Sequence, residues 1–224
     1  MRELTNDETA ILQRHAKWLQ SSGEEGERAD LCDADLRWAD LSGTNLSDAN
    51  LHSADMSESD LSHVDLSDAN LRMTTLHGAD LSGADLSGAI LSDADLSNAV
   101  LSNAVLRKAD LSDADLHKAN LSGADLRKAN LSDANLRGTD LRNANLREAD
   151  LRGADLDFSC WPLWCGSKGV KVDDRLVAQL LYHVTRLDVS GCSGGVREAM
   201  EHIRAMAVSD LFGEYRDGIE KIGG

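Results

Sequence analysis

Residues 87–110 read SGAILSDADLSNAVLSNAVLRKAD, and Leu returns at every fifth position, 91, 96, 101 and 106, with Ala two residues before each. Followed outward, the beat runs from Leu31 to Leu156 in 26 copies without insertion or deletion, Met56 being the one substitute for Leu. Ala yields only to Thr44, Ser59, Val64, Thr74 and Thr139. Directly before Leu stands Asp or Asn except at Thr75, Ile90, Val100 and Val105, and three of those exceptions fall in the opening stretch.

A period of five fits neither regular element. On a continuous α-helix each step would carry Leu about 140° around the cylinder, and on a continuous strand it would send Leu to alternate faces. Ala and Leu, two apart, share one face of a short extended segment, so the remaining residues must turn a corner before the next pair points inward. Four corners close a coil of about 20 residues, and coils stack at about 4.8 Å like strands in a sheet. The spacing predicts a square solenoid with Leu along its axis and Ala where the walls come close.

This A(D/N)LXX beat resembles the pentapeptide-repeat family over residues 29–158. The resemblance implies an all-β solenoid, a right-handed quadrilateral β-helix of about 6.5 coils and about 31 Å. Three regions follow: 1–28, a capping helix and loop; 29–158, the β-helix; and 159–224, a degenerate last coil with α-helical segments.

The ends of a solenoid need covers. Thr5 and Glu8 form a capping-box pattern, and Ile11, Leu12, His15, Trp18 and Leu19 make one apolar stripe before Ser21, Ser22 and Gly23 stop the helix. His15 reads as a packed, hydrogen-bonded residue, since no second ligand or nucleophile is spaced to join it. After Phe158 the beat degrades through SCWPLWCGS, whose Pro162 lacks a ladder donor. A last short strand is expected over 169–172, then helices with Leu176, Leu180, Leu181 and Val184 on an apolar face. These four, with Trp161 and Trp164, are the candidate cap or dimer residues. Two roles are open to this region, cap and homodimer interface, and the resemblance implies the second because C-terminal helices join the rods of better-studied members.

The formal charge of −16 argues against direct nucleic-acid binding and for solubility or a basic partner. The N-terminus lacks the apolar stretch of a signal peptide and no run is long enough to span a bilayer, so the expected location is the cytoplasm, off the membrane. Cys32, Cys160, Cys165 and Cys192 have neither disulfide-framework nor zinc spacing and read as reduced thiols. There is no phosphate loop, no metal spacing and no catalytic constellation beyond the Ser and Asp that the repeat itself supplies, and His52, His63, His77 and His117 fall in outward slots. The expectation is a protein without enzymatic activity, cofactor or metal, acting on a protein partner.

Charge is distributed unevenly along the repeats. Residues 29–106 hold 14 acids and two bases, whereas 107–158 hold ten acids and nine bases. The acidic part has about one net charge per 1.6 Å, close to the roughly 1.7 Å of duplex DNA. Asp30, Asp35, Asp40, Asp55, Asp60, Asp65, Asp80, Asp85 and Asp95 are therefore a candidate surface that mimics DNA toward a DNA-binding protein. The resemblance points the same way, since quinolone-resistance members resemble a DNA rod and bind DNA gyrase, a topoisomerase. This chain departs from them in having no loop between coils and in placing its acidity far from the C-terminal region. Two alternatives stand beside mimicry: Asp and Asn hydrogen-bond the corners while surplus charge keeps the rod soluble, or the chain is a scaffold whose C-terminal helices recruit the partner. Ile90, Val100 and Val105 fall on three faces of one coil, 89–108, as a candidate lateral apolar belt. Arg107, Arg127 and Arg147, 20 apart, form a candidate basic ladder flanked by Lys108 and Lys128, answered either by Asp110, Asp125 and Glu148 or by an acidic partner.

Overall fold

The computed structural model describes residues 1–157, 159–160 and 170–172. The chain divides into two units, Met1–Lys171 and Val172–Gly224, and the described residues lie in the first apart from Val172. Trp161, Trp164, Leu176, Leu180, Leu181 and Val184, and with them the cap and dimer expectations, lie outside the described residues.

Residues 20 apart pair in parallel from Asp30↔Asn50 to Asp140↔Cys160, so each coil takes four pentapeptides and rests on the next in strict register. The fold is a right-handed β-helix whose ladder contacts are one residue long on each side. Four faces result, beginning at Asp30, Asp35, Asp40 and Asn45 and each continuing in steps of 20. A last contact, Asp150↔Lys171, carries the first face one rung higher with the spacing changed to 21.

The repeat 65–69, DLSDA, shows why the period is five. Asp65 N–H donates down to the Thr44 carbonyl (2.9 Å), and Leu66 N–H donates up to Asp85 (2.7 Å). Asp68 N–H donates up to Ser87 (2.9 Å), and Ala69 N–H closes the turn on the Leu66 carbonyl (3.1 Å). The fifth donor, Ser67 N–H, is met by Oδ1 of Asp65 (3.0 Å). All five backbone donors thus have partners, as a wall without solvent on its inner side requires.

The corners are type II turns, recognised by a single positive φ at the third of four residues. The residue two after each Leu has φ between 56° and 76° from Asp33 to Gly153, and 18 of those 25 positions are not glycine. Extended segments joined by such turns send Ala and Leu inward. Every Leu of the beat, and Met56, is at most 4% exposed. Where a hydroxyl replaces Ala, it is satisfied inside. Ser59 and Thr74 donate to Met56 and Leu71 of their own turns (both 2.7 Å), and Thr139 reaches Leu116 in the coil below (2.8 Å).

Helix α1, Asn6–Gln20, covers the first coil. Its capping box forms as the Thr5 and Glu8 spacing predicts, with Glu8 N–H on Thr5 Oγ1 (3.2 Å) and Thr5 N–H on Glu8 Oε2 (2.7 Å). Before the helix, Arg2 adds a rung that the repeat does not announce: its N–H donates to Trp38 (2.6 Å) and its carbonyl accepts from Asp40 (3.3 Å). The Arg2 guanidinium then clamps both oxygens of Glu8 (2.6 and 2.8 Å) and the Asp35 carbonyl (2.7 Å). His15 is fully buried, stacks on Trp18 with centroids 5.7 Å apart, and accepts the Ala29 N–H at Nδ1 (3.1 Å). That bond leaves the ring proton on Nε2 of a neutral imidazole. The Ser47 backbone favours this proton without meeting it in hydrogen-bonding geometry. At Gly26 (φ 77°) the loop passes so near α1 that a Cβ would lie 2.7 Å from the Trp18 nitrogen and closer still to the Arg14 carbonyl.

Candidate functional site

The residue before Leu points outward, and its first task is local. All 22 Asp and Asn at this position accept the N–H two residues on, at 2.9–3.4 Å. Asn serves this Asx bond as well as Asp, so geometry alone does not account for carboxylates.

The nine aspartates of the candidate surface divide among the faces. Asp40, Asp60 and Asp80 stack on the third face, and Asp65 and Asp85 on the adjoining fourth. Asp48 and Asp68, which the sequence reading did not single out, stand two residues after Leu at the corner that closes the fourth face. These seven carboxylates cover two neighbouring faces of the first three coils, where the sequence places no Lys or Arg. The spacing of 20, applied to the corner positions, was the signal for the two added residues. Asp40 is held below the ordinary carboxylate range by the Ser42 hydroxyl and amide.

Asp30, Asp35, Asp55 and Asp95 lie on the other two faces. There Arg37 pairs with Asp35 at 2.6 Å and reaches Asp55 at 3.7 Å, while Arg72 pairs with Asp93 at 3.2 Å. The Arg37 side chain holds the Asp35 carboxyl down to about 2. Arg72 follows the first face, and Arg37, at the corner between the second and third faces, spends its charge on second-face aspartates and also lies over the half-exposed Trp38 ring at 5.3 Å.

Ile90, Val100 and Val105 occupy outward ladder positions on the first, third and fourth faces, stacking on Asn70, Asp80 and Asp85. Ile90 is 43% exposed and the two valines are half-buried. The belt is therefore discontinuous in exposure. Met73, at the corner that follows Asn70, is 53% exposed and adds apolar surface that the repeat pattern did not flag.

Arg107, Arg127 and Arg147 stack above Ser87, and Lys108 and Lys128 stand beside them above Gly88, joined rung to rung by Lys108 N–H on Arg127 O and Lys128 N–H on Arg147 O (both 3.0 Å). Asp125 takes both lower arginines, Arg107 Nε at 2.6 Å and Arg127 Nη2 at 2.8 Å, and Glu148 takes Lys128 at 3.5 Å. Asp110, expected among the partners, instead binds Ser112 and Asn130 (both 2.8 Å). Burial pushes the Asp125 carboxyl up, but the two arginines outweigh it and the group stays below its usual range. Five of the residues that line this corner, with Glu148, enclose a groove of about 370 Å³ whose polar atoms are mainly cationic.

Among the described residues no cluster of three His, Cys, Asp or Glu could hold a metal ion, and no helix is long and apolar enough to cross a membrane. Cys32 and Cys160 are exposed and free.

Stacked coils around an aliphatic axis, with the residue before Leu turned outward, define a solenoid repeat protein. The family model for pentapeptide repeats matches residues 29–68, 54–93, 89–128 and 129–160, and the chain belongs to the pentapeptide-repeat family. Among solved structures it is similar to HetL of the cyanobacterium Nostoc, a protein involved in heterocyst differentiation regulation, at 33% identity over 64% of this chain and 81% of that one (TM-score 0.38). It is also similar to QnrB1, a plasmid-mediated fluoroquinolone resistance protein, at 25% identity over 69% and 82% of the two chains (TM-score 0.48). Rfr23 of the cyanobacterium Cyanothece aligns at 44% identity over 43% and 63% (TM-score 0.28). A comparison with curated proteins gave no significant match.

Proposed function

We propose that the third and fourth faces of the first three coils mimic the charge of duplex DNA and are bound by a DNA-binding protein, a topoisomerase being one such partner. The observation that supports this most is the concentration of seven carboxylates on two adjoining faces whose own repeats, 39–48, 59–68 and 79–88, contain no Lys or Arg, five of them at positions where Asn would meet the structural need equally well. Carboxylates stacked at about 4.8 Å repel one another, and a basic groove that binds phosphates relieves that repulsion. The protein acts by occupying its partner, without chemistry of its own, and it does so in the cytoplasm. Residues 159–224 would join two rods.

The reading is tested by changing Asp40, Asp60, Asp65, Asp80 and Asp85 to Asn together. Each Asx bond survives, so melting should move by no more than a few degrees, while capture of the partner from a cell extract should fall at least tenfold. Captured partner should also be released by duplex DNA and by salt. Capture unaffected by the five substitutions, or indifferent to salt, would sink the proposal. Deleting 173–224 separates it from an adaptor role: mimicry weakens with lost dimerisation, whereas an adaptor loses its partner outright.

A further inference from the structure

The corner that closes the fourth face changes sign along the rod. In the first three coils it carries Asp48, Asp68 and Gly88, with Ser47, Ser67 and Ser87 beside them, and in the next three it carries the Arg107 to Glu148 groove. Serine in the three lower rungs shows that the turn itself does not call for arginine. Stacking guanidinium on guanidinium at about 4.8 Å costs stability unless counter-charge is brought in. The chain brings in too little. Five cations face Asp125 and Glu148, leaving a surplus of three positive charges on a protein of net charge −16.

The pairing that exists orients the site without filling it. Arg107 meets Asp125 through Nε alone, so its two Nη groups stay open, and Arg127 keeps Nη1. Lys108 and the Arg147 guanidinium have no ion pair among the described residues, and both are exposed. Asp125, half-buried between the lower two rungs, fixes their guanidinium planes. Forked guanidinium donors flanked by ammonium groups suit the tetrahedral, multiply charged oxygens of phosphate better than single carboxylates.

The neighbours limit the length of what can bind. The groove spans three rungs, about 10 Å. Below it the same corner runs into Gly88, Asp68 and Asp48, and the next corner around the coil carries Asp93, Asp113 and Asp133. A nucleic-acid strand would be driven along these carboxylates, whereas a short polyanion stays within the positive stretch. We infer that the groove formed by Arg107, Lys108, Arg127, Lys128 and Arg147 is a binding site for a compact polyanion with two or more linked phosphate groups. This site uses none of the seven carboxylates of the first three coils, so it stands or falls independently of the DNA-mimic reading.

Calorimetric titration of the full chain at low salt with inorganic tripolyphosphate, orthophosphate and ATP tests it. Tripolyphosphate should bind one to one and at least about tenfold more tightly than orthophosphate, as one further charged contact brings. ATP within about threefold of tripolyphosphate identifies the phosphate chain as the feature recognised; ATP tighter by more than tenfold identifies a nucleotide as its source. Lys108→Gly with Arg147→Ser restores residues that the same corner already carries at Gly88 and Ser87, so melting without ligand should hold or rise slightly, as less like charge and a relieved left-handed corner imply, while tripolyphosphate binding falls about 100-fold. Arg72→Ser, on another corner, should bind like the unaltered chain. Tripolyphosphate binding no tighter than orthophosphate, binding retained in the double variant, or equal loss in Arg72→Ser would each overturn the assignment.

Discussion

The residue before Leu has two roles that a substitution can separate. Asp60 accepts the Ser62 N–H at 2.9 Å, a bond Asn can accept and Ala cannot. Asp60→Asn keeps that bond and lessens repulsion from Asp40 and Asp80, so stability should hold or rise slightly, while Asp60→Ala should cost about 0.5–1.5 kcal/mol relative to Asn, a difference visible in urea midpoints. At Thr75, Ile90, Val100 and Val105 this acceptor is missing, and those side chains point outward as the sequence pattern predicts. Changing Ile90, Val100 and Val105 to Asp adds three Asx bonds but removes half-buried aliphatic surface and stacks new carboxylates against Asp110, Asp80 and Asp85. These terms offset one another to within about 1 kcal/mol per site, so melting should stay nearly constant. The left-handed corner residue is a different matter. Met73 holds φ 58° with its side chain 53% exposed, so Met73→Gly should raise stability by about 0.5–1 kcal/mol, the steric relief exceeding the added chain entropy. An unchanged or lower urea midpoint would show that Met73 packs usefully where it stands. Nothing in the sequence marks that conformation, because 18 of the 25 corner residues are not glycine; only the constant distance from Leu reveals it.

At the scale of elements, the repeats were legible and the ends only partly so. Every ladder pair from Asp30↔Asn50 to Asp140↔Cys160 follows from counting by 20, because Ala and Leu can face inward in no other register. The start of α1 was legible because a capping box is a local pattern of two side chains. The Arg2 rung was not, since one residue bonded to Trp38 and Asp40 leaves no period to detect. The basic ladder was visible as a spacing, but its sharing of Asp125 depends on side-chain reach across rungs, which spacing does not give. His15 shows how an element can carry pH dependence. Burial depresses its folded pKa below the ordinary 6.5, with Arg28 adding to this and the Ser47 backbone and Asp48 opposing it. Above about pH 6.5 both folded and unfolded chains hold it neutral, and its contribution to the cap is complete. As pH falls below that value the unfolded chain takes up the proton first, so stability of the cap declines until the lower folded value is passed. Protection of the Ala29 amide from hydrogen exchange, corrected for intrinsic rate, should therefore fall between pH 7 and pH 5. His15→Leu should remove this pH dependence and cost about 1–3 kcal/mol at neutral pH, because the Ala29 N–H loses its acceptor. Equal protection at both pH values in the unaltered chain would assign the cap's stability to Arg2 and Glu8 instead.

At the scale of the whole molecule, the repeat makes the fold indifferent to which pentapeptide lies on which face, whereas the surface depends on it entirely. Each turn closes on its own Leu carbonyl, each ladder bond runs to whatever residue lies one coil away, and each Ala and Leu enters the same axis. Stability is then close to a sum over repeats and their neighbours. Deleting five residues, 99–103, joins Asn98 to Ala104 without breaking the beat and turns everything beyond it by one face. Arg107, Arg127 and Arg147 remain stacked on one another, but their column moves from the line of Ser47, Ser67 and Ser87 to that of Ser42, Ser62 and Ser82, between the two acidic faces. The new stack still has compatible corners: Gly123 comes to rest over Asn98 where it had rested over Asn103. Circular dichroism should be unchanged and melting lowered by only a few degrees, as loss of one repeat in 26 implies at about 2–4 °C per kcal/mol. Tripolyphosphate binding should persist, since the groove moves as a body. A partner that reads the acidic faces alone should be captured as before, and one that spans both charge fields should be lost. If the shortened chain instead fails to fold, the four faces are not interchangeable, and the stack is held by specific pairs between coils and not by the period.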